Sequence, residues 1–354
     1  MSQKYINIFF ILLVLLTALL FYASATMAQE LPKTIEQSVP NRIIDAPEKK
    51  VITLVIENDS LGGGTDKNYT SGVRLNFTDI NAAFPEIAHK IDALLPTFEI
   101  NKTSSLYYSI GQSIYTPRET RQTALIEDDR PWAGFLYGSL GIVTLTNNHI
   151  DEVEATVGVV GPASLGEVSQ KFIHKHIIDS PQPLGWSHQL KNEPGLMLAW
   201  QRGWPMLANG RISEHFWSLK PYLGASLGNI RTYANAGFTA RLSPYDSRWQ
   251  DTPVRVKPSM PGTGIYEIPQ NGWSWSLFAG IDGRAIGHDI FLDGNTFAKS
   301  HSVDKKPFVM DASAGVTLTY DHMRVSYTVV YRTKEFILQD EPEIFGALSF
   351  GVRF

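Results

Sequence analysis

Apolar and polar residues alternate along most of the chain after about residue 50, in segments of strand length separated by polar or glycine-containing stretches. A period of two places the apolar side chains on one face of a β-strand, and a near-continuous apolar run suits a strand covered on both faces. The pattern predicts twelve strands, at residues 51–57, 69–78, 106–115, 133–146, 151–160, 196–204, 217–227, 231–241, 274–286, 308–320, 323–331 and 347–354. Short polar links such as residues 147–149 and 321–322 suit hairpin turns between neighbouring strands.

Two stretches follow a helical period instead. Residues 87–95 carry apolar side chains at positions 87, 91, 94 and 95, which predicts a short amphipathic helix between the second and third strands. Ser164 and Glu167 have the spacing of a capping box, which predicts a helix that begins there and stops near Pro181.

The first 28 residues are predicted to be a secretory signal. Lys4 precedes an almost unbroken apolar run over residues 6–22, and small residues then allow cleavage after Ala25 or Ala28. The run is also long enough for a transmembrane anchor, but no basic stop-transfer flank follows it. A polar segment, residues 29–50, then leads into a barrel that spans residues 51–354.

The composition narrows the class of protein. The chain has no cysteine, which excludes disulfides and thiolate metal sites, and its net charge of −4 gives no basic footprint for nucleic acid. No second apolar run is long enough for a transmembrane helix. The 8 Trp and 14 Tyr residues, many at strand ends, are typical of interfacial girdles, and the last alternating strand ends on Phe354, like the closing strand of bacterial outer-membrane barrels.

These features predict an all-β fold, a twelve-stranded antiparallel transmembrane β-barrel of the outer membrane with short helices in its loops, because an even number of strands leaves no edge open in lipid. If the first strand starts on the periplasmic side, the loops after odd strands open on the external face. These loops include residues 59–68, 116–132 and 161–195. Residues 79–105 and 242–273 fall on the periplasmic side, where outer-membrane barrels usually have short turns.

The stretch after the first predicted strand gathers polar groups around three glycines. Glu57, Asn58 and Asp59 offer hard oxygen donors, a composition suited to Ca²⁺ more than to soft metals. An ordinary polar turn is the alternative interpretation. The glycines do not form a phosphate loop, because no Gly-Lys-Ser/Thr sequence follows them and no βαβ unit is predicted.

His174 lies in the second predicted helix, in a loop of the external face. Imidazole is the side chain best suited to take a proton from water at physiological pH. His176 could play the same role, and either residue could be an ordinary solvated histidine of a surface loop. A Ser-His-Asp hydrolase is poorly supported, because the chain has no Gly-x-Ser-x-Gly sequence.

Several short motifs follow one another along the chain. They are Glu57-Asn58-Asp59, Thr65-Asp66, Tyr69-Thr70-Ser71-Gly72, Ile114-Tyr115-Thr116-Pro117, Asp128-Asp129-Arg130-Pro131 with Ala133-Gly134, Gly158-x-x-Gly161-Pro162 and Gln170-x-x-x-His174. With these motifs the chain resembles, over residues 51–354, the outer-membrane lipid A deacylase family, specifically the lipid A 3'-O-deacylases. The resemblance implies a twelve-stranded barrel and calcium-dependent hydrolysis of an acyloxyacyl ester at the 3' position of lipid A.

The resemblance also implies site residues. Asn58 and Asp59 match the family's site at the end of the first strand, with Asp59 as the Ca²⁺ ligand. Thr70 matches the site threonine, and His174 matches the general base. The implied chemistry is attack by a water molecule that His174 deprotonates, without a covalent enzyme intermediate.

The family's further acidic residue falls on Ser180 in this chain, with Asp179 next to it. Arg118, Arg121 or Arg130 would meet the lipid phosphates, because arginine binds phosphate through paired hydrogen bonds. The implied partners are lipopolysaccharide and the lipids of the outer membrane, and the barrel is predicted to be a monomer. Two alternatives stay open: an outer-membrane phospholipase with a Ser-His pair, and a non-enzymatic barrel that serves as a pore or scaffold.

Overall fold

The computed structural model describes residues 47–354 except 63–67, 81, 85, 87–89, 91–99, 102, 146–148, 178, 206, 245–252, 254, 257–263 and 270. The predicted signal peptide and nearly all of the polar segment at residues 29–50 lie outside the described residues. The same holds for the predicted helix at residues 87–95, apart from Lys90. These three predictions stay predictions.

The described strands form one antiparallel sheet that closes on itself. The strands are β1 (Lys50–Asn58), β2 (Asn68–Asp79), β3 (Ser105–Thr116), β4 (Ala133–Leu145), β5 (Ile150–Val160), β6 (Glu193–Gly203), β7 (Ala208–Ile212), β8 (His215–Gly228), β9 (Arg231–Ser243), β10 (Trp273–Asp289), β11 (Phe308–Tyr320), β12 (Met323–Arg332) and β13 (Glu343–Arg353). Neighbours in sequence pair around the wall, β1 pairs with β13, and β6 pairs with β8. This closure confirms the predicted twelve-stranded barrel, with β7 as an addition to it.

Strand β7 was absent from the sequence prediction. Residues 197–203 of β6 pair with the second half of β8, and β7 then pairs with the first half of β8. The hairpin of β6 and β8 therefore continues past an irregular link after Gly203, and β7 extends the hairpin beyond the point where β6 ends.

The wall separates an apolar outer face from a polar interior. In β1, Val51, Thr53, Val55 and Glu57 are buried and alternate with more exposed residues. Side chains on the outer face include Val73, Leu75, Tyr108, Ile110, Leu140, Val157, Leu196 and Leu198. This apolar belt suits contact with lipid chains. Within the described ranges, no helix combines the length and the apolar character needed to cross a bilayer.

The connection between β9 and β10 enters the barrel. The amide of Val256 donates to Oε1 of Glu57 at 3.1 Å, and the hydroxyl of Tyr137 donates to the carbonyl oxygen of Val256 at 2.8 Å. Arg255 Nε lies 3.3 Å from the same carboxylate of Glu57. Tyr266, farther along this connection, is buried. The connection between β9 and β10 is longer than the turns expected at this end of such a barrel, and its described residues fill part of the interior.

The connections after β1, β3, β5, β8, β10 and β12 lie at one end of the barrel, called the upper rim below. These connections contact one another. Nε2 of His301 lies 2.7 Å from the carbonyl oxygen of Asp129, and Arg118 Nη1 lies 3.3 Å from Asp340 Oδ2. The upper rim is therefore a packed layer.

In the described part of the upper-rim connections, the α-helices are α1 (Gly166–His176) and α2 (Ile290–Asp293). The prediction of a helix in the connection after β5 is confirmed, but the predicted capping box is wrong. The N-cap is Leu165, at φ 60°, and its side chain makes no capping hydrogen bond. The hydroxyl of Ser164 instead donates to the carbonyl oxygen of Gly161 at 2.6 Å. The helix ends at His176, earlier than Pro181.

Candidate functional site

The upper end of β1 is joined to a bulge in β2. The register between β2 and β3 shifts between Tyr69 and Ser71, so Thr70 is the extra residue of the bulge. Asn58, the last residue of β1, donates from Nδ2 to the carbonyl oxygen of Thr70 at 2.8 Å. Its Oδ1 accepts from the amide of Ser60 at 2.8 Å. The Asn58 amide group therefore stabilises both the bulge and the turn after β1.

Thr70 and Thr116 form a buried hydroxyl pair. Their Oγ1 atoms lie 2.6 Å apart, and both side chains are buried. Tyr115, the neighbour of Thr116, packs inside the barrel against Phe291, so Thr116 takes the opposite, outer face of β3. Thr70, bonded to it, lies on the same outer face. Thr116 lies in one of the sequence motifs named above, but the sequence predicted no role for it.

Asp59 follows directly in a 3₁₀ turn, Asp59–Leu61, and is buried. Among the described residues, no group of three or more His, Cys, Asp or Glu side chains is arranged to hold a metal ion. A cation at Asp59 would therefore need neutral oxygens as its other ligands. Ca²⁺ accepts carbonyl, amide and water oxygens beside a carboxylate, and Asn58 and Thr70 belong to this hard oxygen chemistry. The donor set fits Ca²⁺ and not a soft metal.

Helix α1 packs against the outside of the wall over β3 and β4. Its beginning lies against β4 through two glycines: a Cβ on Gly134 would meet the Cα of Gly166 at 3.0 Å. Farther along, the indole Nε1 of Trp186 donates to Oε1 of Gln170 at 2.8 Å. Trp186 packs on Trp132, with ring centroids 5.2 Å apart. These contacts fix the helix against the wall, and they could not be recognised from local sequence.

His174 lies on the buried face of α1. Gly166, Gln170 and His174 are its buried residues, and their spacing of four places them on one side of the helix. The Nδ1 atom of His174 lies 2.7 Å from the carbonyl oxygen of Pro181. A carbonyl oxygen can only accept, so Nδ1 carries the proton and Nε2 of the neutral ring is the acceptor. His176, the alternative base, is exposed.

The opposite face of α1 is apolar and exposed. Val168 and Phe172 lie on this face, and Ile177, the residue after the helix, is exposed as well; these side chains extend the lipid-facing belt of the barrel. The helix thus has a polar face on the wall and an apolar face away from it. Asn58, Asp59, Thr70, Thr116 and His174 are called the wall cluster below; the first four are connected at the upper ends of β1 to β3, and His174 lies on the helix that covers β3 and β4.

Ser180 and Asp179 do not bring a carboxylate to the ring of His174 in the way that the family pattern implies. The amide of Ser180 donates to the carbonyl oxygen of His174 at 2.9 Å, which closes the chain after the helix. Asp179 is exposed and has φ 46°, a left-handed conformation that Asp tolerates better than most residues. This turn places Pro181 beside His174.

The three arginines differ in position. Arg118 lies at the upper rim, where its Nη2 donates to Asp128 Oδ2 at 2.8 Å, and this hydrogen bond holds the pKa of Asp128 below its usual range. Arg121 is exposed in the same connection. Arg130 is fully buried, with its guanidinium over the Tyr115 ring and 3.3 Å from Glu335 Oε2. Arg130 thus lies inside the barrel, apart from the wall cluster.

A closed antiparallel barrel with an apolar outer belt and a polar interior defines an outer-membrane β-barrel protein. The chain belongs to the family described as outer membrane protein LpxR, whose model matches residues 11–354. Among solved structures, LpxR from Salmonella typhimurium is similar at 21% identity and a TM-score of 0.69, covering 86% of this chain and 100% of that one.

A second solved structure, the beta domain of the Bordetella autotransporter BrkA, matches at 8% identity and a TM-score of 0.41, covering 86% of this chain and 98% of that chain. No curated protein matches the sequence. The likeness to the Salmonella LpxR shows the shared fold, and the family match extends over nearly the whole chain.

Proposed function

We propose that this protein is a lipid A 3'-O-deacylase, an outer-membrane esterase that hydrolyses the acyloxyacyl ester at the 3' position of lipid A. The position of His174 carries the proposal: it is buried against the outside of the wall and its Nδ1 donates to a carbonyl oxygen. A reactive group on the lipid side of a barrel suits a substrate that is confined to a membrane leaflet. Membership of the LpxR family supports the outer-membrane location.

In this proposal His174 is the general base. Its Nε2 accepts a proton from a water molecule, and the water oxygen forms a bond to the ester carbonyl carbon. When the tetrahedral intermediate collapses, the ester C–O bond breaks and the proton returns from Nε2 to the departing sugar oxygen. The products are a carboxylic acid and a free 3' hydroxyl group. Thr70 and Asn58 hold the upper end of β2 in the shape that meets the substrate.

The Pro181 carbonyl supports the same role. A hydrogen-bond acceptor that receives the Nδ1 proton fixes both the tautomer and the orientation of a catalytic imidazole. A carboxylate often has this role. Because a backbone carbonyl already accepts from Nδ1 at 2.7 Å, Ser180 at the family's acidic position is compatible with a functional base.

Asp59, with Asn58 and Thr70 nearby, would hold Ca²⁺. When bound, Ca²⁺ supplies Lewis-acid polarisation of the ester carbonyl and stabilises the oxyanion. Arg118 and Arg121 at the upper rim are the proposed contacts for the lipid phosphates, since an exposed guanidinium can form paired hydrogen bonds with phosphate. The burial of Arg130 against Glu335 argues against a direct contact with lipid. In the proposed orientation, the upper rim faces outward from the cell.

Mass spectrometry of lipid A tests the proposal. Cells that produce the wild-type protein should contain lipid A that lacks the mass of the 3' acyloxyacyl group, and cells with His174→Ala should not. His176→Ala is the matched control, because it removes an exposed histidine from the same helix and should leave deacylation unchanged. The proposed deacylase activity would be refuted if lipid A keeps all of its acyl chains when folded wild-type protein and calcium are present.

Purified protein separates the two alternatives. A phospholipase would release fatty acid from phospholipid vesicles as well as from lipid A, and would keep this activity in His174→Ala if it used another base. A pore is disfavoured by the interior, where Arg255 and Val256 contact Glu57 and where Tyr266 is buried.

A further inference from the structure

A groove of about 760 Å³ lies on the outer wall away from the wall cluster. Its floor is formed by β9, β10 and β11, and its upper edge by the connections that follow β10 and β12. Along the strand order, β10 is five strands from β2 through β1 and β13. The groove is therefore on nearly the opposite side of the barrel from Thr70 and His174.

Small side chains form the floor of the groove. Ala234 pairs with Ala285, and Ala236 pairs with Gly283, across β9 and β10. A Cβ added to Gly283 would meet only the carbonyl oxygen of Ala236, at 3.7 Å, so the space above this glycine is open. On the neighbouring strand, Phe308 is opposite Ala285 and 73% exposed. The small residues thus form a trough beside a large apolar side chain.

Two lysines line the upper edge of the groove. The amide of Lys306 donates to the carbonyl oxygen of Glu335 at 2.7 Å, and Thr333, next to Lys334, bonds to the backbone of Met310 at 2.9 Å. These bonds fix the two connections side by side. Lys305 pairs with Asp293 at 2.8 Å, whereas within the described ranges no acidic partner is found for Lys306 or Lys334. The edge therefore carries two positive charges above an apolar floor.

This combination selects the kind of molecule that fits. An apolar trough at the depth of the wall suits acyl chains, and ammonium groups at the polar rim suit phosphate. Two lysines from separate connections favour a head group with more than one phosphate. We propose that this groove, called the lysine groove, binds a second molecule of diphosphorylated lipid A, with its phosphates at Lys306 and Lys334 and its acyl chains over Ala234 and Gly283.

The lysine groove does not depend on the chemistry of His174. It is a site for a resident lipid that is bound and not cleaved, because the wall cluster is on the other side of the barrel. Such a lipid would anchor the upper rim in the leaflet and would remain with the protein during turnover at the wall cluster.

Native mass spectrometry of the full chain in detergent tests the proposal, with purified diphosphorylated lipid A as the probe. The His174→Ala background prevents cleavage of the probe. We expect Lys306→Gln with Lys334→Gln to weaken lipid A binding at the groove by ~25-fold, from a contribution of about fivefold per lysine near the membrane surface. Ala234→Leu with Gly283→Leu should weaken it too by filling the trough.

A matched control keeps the change in net charge equal. Lys191→Gln with Lys299→Gln removes two exposed upper-rim lysines that do not line the groove and should leave binding unchanged. On a denaturing gel, a folded variant should migrate at one position before heating and at another after heating, which shows that each variant is folded. The proposal is overturned if both lysine pairs reduce binding equally, or if phosphatidylglycerol displaces lipid A at equal phosphate concentration. If the wall cluster binds no lipid A, the protein should still bind one molecule at the lysine groove. The groove substitutions should then remove that molecule, which separates failure of the proposed function from failure of this proposal.

Discussion

The side-chain oxygens of Thr70 and Thr116 lie 2.6 Å apart, and their hydrogen bond joins the upper ends of β2 and β3. Replacing Thr70 with Val keeps the size of the side chain but leaves Thr116 without this partner. We expect the rate of lipid A deacylation to fall by about tenfold, because Thr70 then no longer holds the bulge of β2 in the proposed site; the lost bond also lowers stability by about 1–3 kcal/mol. Thr70→Ser should retain most of the rate. Steady-state assays on purified lipid A measure both.

A similar hydroxyl pair at the other end of the wall provides the control. The side-chain oxygens of Ser104 and Thr144 also lie 2.6 Å apart and are buried. Thr144→Val should lower stability by a similar amount and leave the rate unchanged. An equal loss of activity in Thr70→Val and Thr144→Val would show that the upper pair has no special role.

Calcium dependence should follow Asp59. In Asp59→Asn the carboxylate is replaced by a neutral amide of nearly the same shape, so we expect calcium binding by titration calorimetry to disappear. Deacylation should fall by about 100-fold, the size of effect seen when one oxyanion-stabilising group is removed. Asp128→Asn, which changes an acid of the same rim that pairs with Arg118, should bind calcium as the wild type does. Calcium binding that survives in Asp59→Asn would place the metal elsewhere.

Glu335 should control stability at low pH. Burial favours its neutral form, but the charges of Arg332 and Arg130 outweigh burial and lower the pKa of Glu335 to about 2. Because this pKa lies below the ordinary value of 4.5, the stabilisation is complete above about pH 4.5 and is lost as the pH falls towards about 2. Glu335→Gln should therefore be less stable than the wild type at pH 7 by about 3–5 kcal/mol, with the difference shrinking below pH 4.5.

Asp340 gives the comparison for Glu335. It lies in the same connection and pairs with Arg118, but its side chain is 68% exposed. Asp340→Asn should change the free energy of unfolding by less than about 1 kcal/mol. Denaturant titration at several pH values measures the free energy of unfolding of both variants, with the fraction of folded protein read from its mobility on a gel. A pH-independent difference between the wild type and Glu335→Gln would contradict the assigned charge state.

The interior contacts predict a barrel that does not conduct. Arg255 holds its connection to Glu57, and the hydroxyl of Tyr266 donates to the carbonyl oxygen of His322 at 2.7 Å. In planar bilayers the wild type should show no steady conductance, and Arg255→Ala with Tyr266→Ala should raise it. Glu214→Ala, in the turn between β7 and β8, should have no effect. Steady porin-like currents from the wild type would restore the pore interpretation.

The sequence was sufficient to predict the twelve strands of the barrel wall, because the alternation of apolar and polar residues is a local property of each strand. It missed β7, since the five residues 208–212 include Asn209, Gly210 and Arg211 and show no clear alternation. The sequence predicted the helix that contains His174, but the predicted cap was wrong. The beginning of α1 is fixed by the contact of Gly134 with Gly166 and not by a side-chain cap.

The candidate site was less accessible from sequence for a similar reason. Asn58 and Thr70 are close in sequence and could be grouped, but the docking of α1 depends on Trp132 and Trp186. Arg130 stands in a polar motif that predicts exposure, and its burial follows from Glu335, about two hundred residues later. Contacts between distant residues leave no periodic signal in the chain.

The pairing of β1 with β13 sets the order in which this protein can be made. The amide of Lys50 donates to the carbonyl oxygen of Phe354 at 2.9 Å, and the amide of Phe354 donates back to Lys50 at 2.8 Å. The first strand of the wall therefore has no second partner until synthesis reaches the last residues. Asn58 pairs with Gly346 on this seam, so the strand that carries Asn58 gains its second neighbour only when the barrel closes.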